Sequence, residues 1–345
     1  EGDFPAELEA VVAAAVAIDP EERLGSAAEL GERLRAIGVA CEGGDDRRLF
    51  AGCYEVLEAL GTGAKAQVFH AYDRVGRRHV ALKVLGERGR ESAEERERFA
   101  REAQVLGTVK HEALPSFVFG NLEERPFLVM SLAPGRPAIE FCLAGSTLRP
   151  AEVVAVGRQV AGALAELHAA GVLHRDVNAA NVLVERGAQT RATLIDFGMA
   201  ELAPRFYEVV DPRYLTPPES RVSLGTGGLE KLEWTAPEAR AGKGWSGKSD
   251  VFSLGVVMFR LLTGKMPLER GAEGSAARPV LEVAPRCPRG LAYAIDAALA
   301  VDPAMRPDAA GFVEELEGVA AELAAVEGAV SEHEGPREPV VGAVS

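Results

Sequence analysis

Three short stretches of this sequence carry residue types that could bind or transfer a phosphate group. The first is a glycine-rich run at residues 60–63, in which Gly61 and Gly63 stand between two segments rich in strand-forming residues. Glycines in such a turn let backbone amides approach phosphate oxygens closely. A two-glycine turn is equally typical of a plain β-hairpin, so this stretch permits phosphate binding without requiring it.

The second stretch is a lysine at the end of a predicted strand. Lys83 closes the run VALK at residues 80–83. A lysine that faces a cleft can hold phosphates as a point charge when a carboxylate fixes its position. Glu102, next to the apolar stripe of a predicted helix, is the partner that we expect. Either residue alone would be an ordinary solvated charge, but their order behind a glycine-rich turn favours a functional pair.

The third stretch combines two acidic residues with an amide. It reads HRDVNAAN from His174 to Asn181, followed by DFG at residues 196–198. These motifs resemble the catalytic and magnesium-binding loops of the eukaryotic-like (Hanks-type) protein kinases, and we expect a bacterial serine/threonine protein kinase. Without the resemblance, Asp176 and Asp196 would be ordinary loop carboxylates exposed to water.

The resemblance implies a role for each residue of the site. Asp176 would accept the proton of the substrate hydroxyl or orient it, and Asn181 and Asp196 would hold Mg²⁺. Lys83, paired with Glu102, would hold ATP and complete the catalytic set of Asp176, Lys83, Glu102 and Asn181. The implied ATP-binding positions are Leu60, Gly61, Gly63, Val68, Ala81, Lys83, Met130 (the gatekeeper), Ser131 and Ala133 (in the hinge) and Leu183.

Further matches to the kinase pattern follow in the second half of the chain. The APE sequence at residues 236–238 resembles the end of an activation segment. Residues 249–255 resemble a buried central helix, in which Asp250 would brace the backbone of the HRD motif. Arg306 is expected to pair with Glu238.

Arg175, next to the catalytic Asp, implies activation by phosphorylation. A phosphate group adds about −1.5 to −2 charges and could pair with this Arg to order a loop. Autophosphorylation in the activation segment, residues 196–238, is therefore expected. The candidate acceptors are Tyr207, Tyr214, Thr216, Ser220, Ser223 and Thr226.

Two positions depart from the family pattern. Serine/threonine kinases place a Lys two residues after the catalytic Asp, where this chain has Asn178. Tyrosine kinases place an Arg four residues after it, where this chain has Ala180. Residues 232–238 (LEWTAPE) resemble tyrosine kinases more than serine/threonine kinases, so the hydroxyl specificity stays open. Lys65, at the tip of the glycine-rich turn, is a candidate replacement for the missing cation.

The elements around these motifs indicate an α+β fold. The predicted elements are strands at residues 56–60, 67–72, 79–84 and 127–130 and helices at residues 91–110 and 151–170. The expected architecture is the protein-kinase-like bilobal fold, in which a small antiparallel β-sheet N-lobe with one helix precedes a larger, mainly helical C-lobe. Residues 50–133 would form the N-lobe and hinge, and residues 134–318 the C-lobe.

The two ends of the chain are interpreted from an internal repeat and from composition. Residues 4–34 parallel residues 287–316, because each copy has two amphipathic helices joined by an Asp-Pro turn. We interpret residues 1–37 as the end of a preceding kinase C-lobe in the same polypeptide; the alternative is an accessory helical pair of Ala-rich composition. Residues 38–49 are interpreted as a linker and residues 319–345 as a disordered tail.

Composition limits the classes of partner and compartment. The formal net charge of −14 disfavours a nucleic-acid partner, because such binding depends on Lys and Arg that neutralise phosphates. The four cysteines lack metal-ligand spacing and are expected as free thiols in a reducing compartment. No apolar run is long enough to span a bilayer, so a cytoplasmic location is predicted for this segment, with any membrane anchor outside it. The start without Met suggests a fragment of a longer chain.

The leading hypothesis is an active kinase that transfers the γ-phosphate of MgATP to Ser/Thr hydroxyls of proteins. The alternatives are a pseudokinase that binds nucleotide or a partner, a tyrosine or dual-specificity kinase, and a small-molecule kinase, which would not need the APE segment. Catalysis is favoured by the presence of five polar side chains that a scaffold would not need. They are Lys83, Glu102, Asp176, Asn181 and Asp196.

Overall fold

A computed structural model describes residues 49–62, 65–123, 125–203, 233–268 and 276–333, together with Val11 and Ala14. The rest of the predicted helical pair at residues 1–37, the linker up to residue 48, Gly63 and the six candidate phosphate acceptors lie outside these residues. The chain divides into two compact units, of which unit 1 comprises residues 1–63 and 67–82 and unit 2 comprises residues 64–66 and 83–345. Among the described residues, no helix is both long enough and apolar enough to cross a membrane.

From residue 49 onwards, the described part of unit 1 is built on β-strands. They are β1 (Leu49–Phe50), β2 (Tyr54–Thr62), β3 (Ala66–Asp73) and the first part of β4 (Arg78–Leu85). Strand β2 pairs antiparallel with both β1 and β3, and Tyr54 stands opposite Asp73. The Asp73 carboxylate accepts hydrogen bonds from the backbone N–H groups of Val75 and Gly76. This contact shapes the turn between β3 and β4.

Unit 2 begins with the end of β4, from Lys83 to Leu85. The next elements are α1 (Glu87–Glu91), α2 (Ala93–Thr108), β5 (Phe117–Asn121) and β6 (Phe127–Ser131). Strand β6 pairs antiparallel with β5, and the N–H of Leu85, at the end of β4, donates to the backbone oxygen of Pro126 at 2.9 Å. Helix α2 begins where the Ser92 hydroxyl oxygen accepts the N–H of Glu95, a standard N-cap.

The rest of unit 2 is mainly helical. The helices among its described residues are α3 (Ala138–Leu143), α4 (Pro150–Ala170), α5 (Pro237–Arg240), α6 (Gly247–Thr263), α7 (Val280–Val283), α8 (Arg289–Ala298) and α9 (Ala309–His333). Every residue from Ser249 to Phe259 of α6 is buried, as predicted for a central helix. Helix α4 packs against α6 and α9, and its side chains Val153, Val160 and Leu164 are fully buried. The apolar face predicted for this helix is therefore its packing face.

Two small sheets position the loops of unit 2. Strand β9 (Val182–Glu185) lies between β7 (Arg136–Pro137) and β10 (Arg191–Leu194), and β8 (Val172–Leu173) pairs with β11 (Glu201–Leu202). The antiparallel register of β9 with β10 places Val182 opposite Leu194. The loop that ends at Asn181 and the loop that starts at Ile195 therefore leave the sheet side by side.

The predicted end of the ordered chain is wrong. Residues 319–333 continue helix α9, whereas their composition predicted a disordered tail from residue 319. Val319 is buried one turn after the buried Leu316, so the apolar face continues past the predicted boundary. Composition alone does not register the helical spacing of these apolar residues, because Gly and Glu residues are scattered between them. Residues 334–345 lie outside the described part of the chain.

Candidate active site

A buried ion pair joins the strand lysine to helix α2. Lys83 Nζ lies 2.5 Å from Glu102 Oε2, and the two side chains are 16% and 4% exposed. Glu102 follows the buried Phe99 by three residues and precedes the buried Val105 by three, so helical geometry places it on the packed face of α2. The contact that the order of the motifs predicts between Lys83 and Glu102 is confirmed.

The surroundings of Lys83 favour its charged form. Burial acts to lower the pKa of Lys83, but the negative charges of Glu102 and Asp196 outweigh burial and raise this pKa above its ordinary value. Burial also raises the pKa of Glu102, and the positive charge of Lys83 opposes that shift. Lys83 is therefore a fixed cation at neutral pH, which is the form that attracts phosphate oxygens.

Asp196 extends this ion pair towards solvent. Its Oδ1 atom lies 3.6 Å from Lys83 Nζ and accepts a hydrogen bond from the Gly198 N–H at 3.3 Å. The Asp196 side chain is 47% exposed, far more than Lys83 or Glu102. Its backbone φ of 66° is in the left-handed region, which is uncommon for a residue other than Gly and clusters at functional sites. Asp196 thus presents a carboxylate beside a fixed cation.

Two amide side chains orient the Asp176 carboxylate. Asn178 Nδ2 donates to Asp176 Oδ1 at 3.1 Å, and Asn181 Nδ2 donates to Asp176 Oδ2 at 3.3 Å. Both amides also donate to the backbone oxygen of Asp176, at 3.0 and 2.9 Å. Asn181 engages Asp176 through its nitrogen, so its side-chain oxygen is the atom suited to a cation.

A buried carboxylate holds the backbone of the same loop. Asp250, in helix α6, is 1% exposed and accepts hydrogen bonds from the N–H groups of His174 and Arg175 at 2.9 and 2.8 Å. The bracing role predicted for Asp250 is confirmed. His168 Nε2 lies 2.9 Å from Asp250 Oδ2 and completes this arrangement. Sequence reasoning missed His168, because no local motif connects it to a partner in a distant helix.

The two loops that carry Asn181 and Asp196 are joined directly. The N–H of Ile195, which precedes Asp196, donates to the backbone oxygen of Asn181 at 2.9 Å. The ring of the buried Phe197 meets the His174 ring edge-on at a centroid distance of 5.0 Å. Burial lowers the pKa of His174, so the imidazole is a neutral packing partner at pH 7. Unit 2 therefore brings Asp176, Asn181, Asp196 and Lys83 into one cluster.

The remaining predicted ATP-binding positions belong to both units. In unit 2, Met130 is buried, and the partly exposed positions are Ser131, Ala133 and Leu183. In unit 1, Ala81 is buried and Val68 is partly exposed, whereas Leu60 and Gly61 are exposed. Their contact with ATP stays a prediction. The Ser131 N–H donates to the backbone oxygen of Ser116 at 2.9 Å, which attaches the start of the predicted hinge to β5.

Lys65, the candidate replacement cation, is engaged by helix α2. Its Nζ atom lies 2.6 Å from Glu95 Oε1, and its backbone oxygen accepts the N–H of Gly86 at 2.9 Å. Arg98 also donates to Glu95 Oε1, at 3.3 Å. Lys65 would have to leave Glu95 before it could reach a phosphate.

Two arginines that the family pattern singles out have acidic partners. Arg306 is 2% exposed and donates to both carboxylate oxygens of Glu238, at 2.7 and 2.8 Å, which confirms the predicted pair. Arg175 Nη1 lies 3.0 Å from Glu201 Oε2, and its guanidinium carbon lies 5.2 Å from the centre of the Trp245 ring. A phosphate that paired with Arg175 would compete with Glu201.

A family model described as "Protein kinase domain" matches residues 54–315 of the chain. The matched span contains the whole cluster of Lys83, Glu102, Asp176, Asn181 and Asp196. It also contains the Glu238–Arg306 pair.

Two curated relatives match most of this chain. It is 35% identical over 287 residues to the serine/threonine-protein kinase PknJ of Mycobacterium tuberculosis, a match that covers 76% of this chain and 44% of PknJ. It is 34% identical over 257 residues to the DNA damage-responsive serine/threonine-protein kinase RqkA of Deinococcus radiodurans, which covers 73% of this chain and 36% of RqkA. The chain therefore spans less than half the length of these relatives.

The fold is also similar to a solved structure. The crystal structure of the PknI kinase domain of Mycobacterium tuberculosis matches with a TM-score of 0.58 and 25% sequence identity, and covers 79% of this chain and 98% of that domain. This similarity confirms the predicted fold class, a kinase-like bilobal fold with a β-sheet N-lobe and a helical C-lobe.

Proposed function

Because this chain belongs to the protein kinase domain family, we propose that it transfers the γ-phosphate of ATP to serine or threonine hydroxyls of protein substrates. The observation that carries the proposal is the Lys83–Glu102 ion pair, with Asp196 beside it and the oriented Asp176 in the adjoining loop. The choice of serine and threonine hydroxyls is supported by the similarity to PknJ and RqkA, both serine/threonine-protein kinases. Autophosphorylation in the activation segment is part of the proposal.

The proposed reaction forms a bond from the substrate oxygen to the γ-phosphorus while the bond to the bridging oxygen of ADP breaks. Phosphoryl transfer needs mainly positioning and charge neutralisation, because the transition state is loose. Lys83 would hold the phosphates of ATP. Asp176 would orient the hydroxyl and receive its proton. Five further residues keep their predicted role of contacting ATP: Leu60, Gly61, Gly63, Val68 and Ala81.

The donor set fits Mg²⁺ bound together with a nucleotide. Within the described ranges, no group of three or more His, Cys, Asp or Glu side chains is arranged to hold a metal ion. Mg²⁺ needs fewer protein ligands, since it favours oxygen donors, keeps several waters and uses the phosphate oxygens of its substrate. Asn181 and Asp196, which supply an amide and a carboxylate oxygen, would hold it. When bound, Mg²⁺ would neutralise phosphate charge.

Incubation of the chain with γ-labelled ATP, Mg²⁺ and a generic protein substrate tests the proposal. We expect label in both the substrate and the chain, recovered as phosphoserine and phosphothreonine after acid hydrolysis. Label found only as phosphotyrosine would support the tyrosine-kinase alternative instead. A thermal shift with ATP that needs no Mg²⁺, together with no incorporation, would support the pseudokinase alternative and contradict the proposal.

The family of the chain implies protein substrates as its partners. A cytoplasmic location, the lack of a nucleic-acid partner and a preceding kinase domain stay predictions. Sequencing the gene upstream of the codon for residue 1 would test the last of these, because the prediction requires a second kinase domain to be encoded there.

A further inference from the structure

Asn178 makes two different sets of hydrogen bonds within the catalytic loop. Its nitrogen donates to Asp176, at 3.1 Å to the carboxylate Oδ1 and at 3.0 Å to the backbone oxygen. Its oxygen accepts the backbone N–H groups of Ala180 and Asn181 at 2.8 and 3.2 Å. One amide therefore links the carboxylate to the backbone of the following turn.

A lysine could not make both sets of contacts. An ammonium group has three donors and no acceptor, so it cannot close the turn by accepting the N–H groups of Ala180 and Asn181. It also sits on a flexible four-carbon stem, whereas an Asn side chain is short and forms such turns readily. The amide at position 178 thus supplies rigidity where the family pattern has a mobile positive charge.

We propose that Asn178 is a positioning residue that holds the Asp176 carboxylate in the orientation required for phosphoryl transfer. Asn178 and Asn181 donate to different oxygens of this carboxylate, so together they restrict its rotation. A small misplacement of a reacting group is costly, since a shift of about 1 Å can lower a rate about 10²-fold. This inference rests on the proposed function and adds to it a residue that acts through Asp176.

Two variants separate the donor role of Asn178 from its other effects. Asn178→Asp keeps an oxygen that can accept the N–H groups of the turn, but it loses the donor and gains a charge. Asn178→Ala loses donor and acceptor and adds no charge. Both variants lose the hydrogen bonds that Asn178 Nδ2 donates to the carboxylate and to the backbone oxygen of Asp176. Asn121→Asp is the matched control, because Asn121 accepts the Glu123 N–H at 2.8 Å in an exposed turn away from the cluster.

We expect each Asn178 variant to lower kcat about tenfold, as expected for losing a hydrogen bond to a charged group, while KM for ATP changes less than about twofold. The reason for this split is that Asp176 acts on the hydroxyl in the transfer step, whereas ATP is held elsewhere. Asn121→Asp should match the wild type. In a crystal structure of Asn178→Ala, the Asp176 carboxylate should be rotated or present in two orientations.

The possible results distinguish this inference from the proposed function. If the wild type transfers phosphate and either Asn178 variant retains its kcat, the positioning role is wrong and the proposed function stands. A raised KM for ATP at unchanged kcat would assign Asn178 to nucleotide binding and also contradict the inference. If the wild type transfers no phosphate, the proposed function fails. The crystal structure then still decides, because an unchanged Asp176 carboxylate in Asn178→Ala would contradict the positioning role.

Discussion

Replacement of Asp176 by Asn is expected to lower kcat for γ-phosphate transfer at least ~10²-fold, with the thermal unfolding midpoint almost unchanged. The substitution is nearly isosteric, so the hydrogen bonds from Asn178 and Asn181 to the backbone oxygen of residue 176 can persist. Only one of the two bonds to its side chain can persist, because an amide has a single acceptor oxygen. The larger loss would be the charge that is proposed to orient the hydroxyl and receive its proton. KM for ATP should change little, because Lys83 and Asp196, the residues proposed to hold the nucleotide and its metal, are unchanged.

Single-turnover transfer from γ-labelled ATP measures this effect without interference from product release. Asp302→Asn is the matched control, since Asp302 is an exposed turn residue that accepts the Ala304 N–H at 2.9 Å. It should transfer phosphate at the wild-type rate. Equal incorporation by Asp176→Asn and the wild type would remove Asp176 from the reaction and, with it, the proposed mechanism.

Much of this site could be predicted from the sequence, because each motif indicates a chemical role and the motifs follow one another along the chain in the order of the kinase pattern. Lys83 and Glu102 were paired only by their positions behind a glycine-rich turn, and they are in contact in the structure. The contact of Asp250 with the backbone at residues 174 and 175 is implied by the resemblance of residues 249–255 to the central helix of kinases, and it is present in the structure. Lys83 lies in a strand, and Glu102 and Asp250 lie in helices, so regular backbone geometry fixes the direction of these three side chains.

Other contacts could not be predicted, because a short motif reports residue types and not their partners. The sequence indicates Lys65 as a candidate phosphate ligand, but in the structure its Nζ atom lies 2.6 Å from Glu95 Oε1 in helix α2. The family pattern marks Asn178 as a missing cation, but its amide oxygen accepts the backbone N–H groups of Ala180 and Asn181, which a Lys could not do. In each case the role of the residue depends on a partner elsewhere in the loop or in a neighbouring helix, and only the folded backbone sets the distance between the two groups.

The second large effect concerns stability and lies outside the catalytic cluster. Arg306→Met is expected to lower the free energy of unfolding by about 3–5 kcal/mol. Arg306 is 2% exposed and donates to both oxygens of Glu238 and to the backbone oxygens of residues 248, 300 and 301. Its guanidinium carbon also lies 4.8 Å from the centre of the Phe252 ring. Removing it leaves the carboxylate of Glu238, whose side chain is 13% exposed, and three backbone carbonyls without this donor.

Urea unfolding of the variants measures the loss, and two further variants test its cause. Arg158→Met is the matched control: this side chain is 49% exposed, lies 4.0 Å from Glu317, and should contribute less than about 1 kcal/mol. Adding Glu238→Gln to Arg306→Met should recover part of the stability, because the uncompensated charge is then removed. A loss of the same small size in Arg306→Met and Arg158→Met would contradict this account.

The pH dependence of this stability follows from Glu238. Burial alone would raise the pKa of Glu238, but hydrogen bonds from Arg306 and Ser249 outweigh it and hold the pKa below its ordinary value of 4.5. A carboxyl with a lowered pKa in the folded state stabilises the fold above its unfolded pKa and loses that contribution as the pH falls through its folded pKa. The difference in unfolding free energy between the wild type and Glu238→Gln should therefore be constant from about pH 6 to pH 7 and shrink below about pH 4.5. A difference that stayed constant down to pH 3 would show that packing, and not the charge of Glu238, supplies the stability.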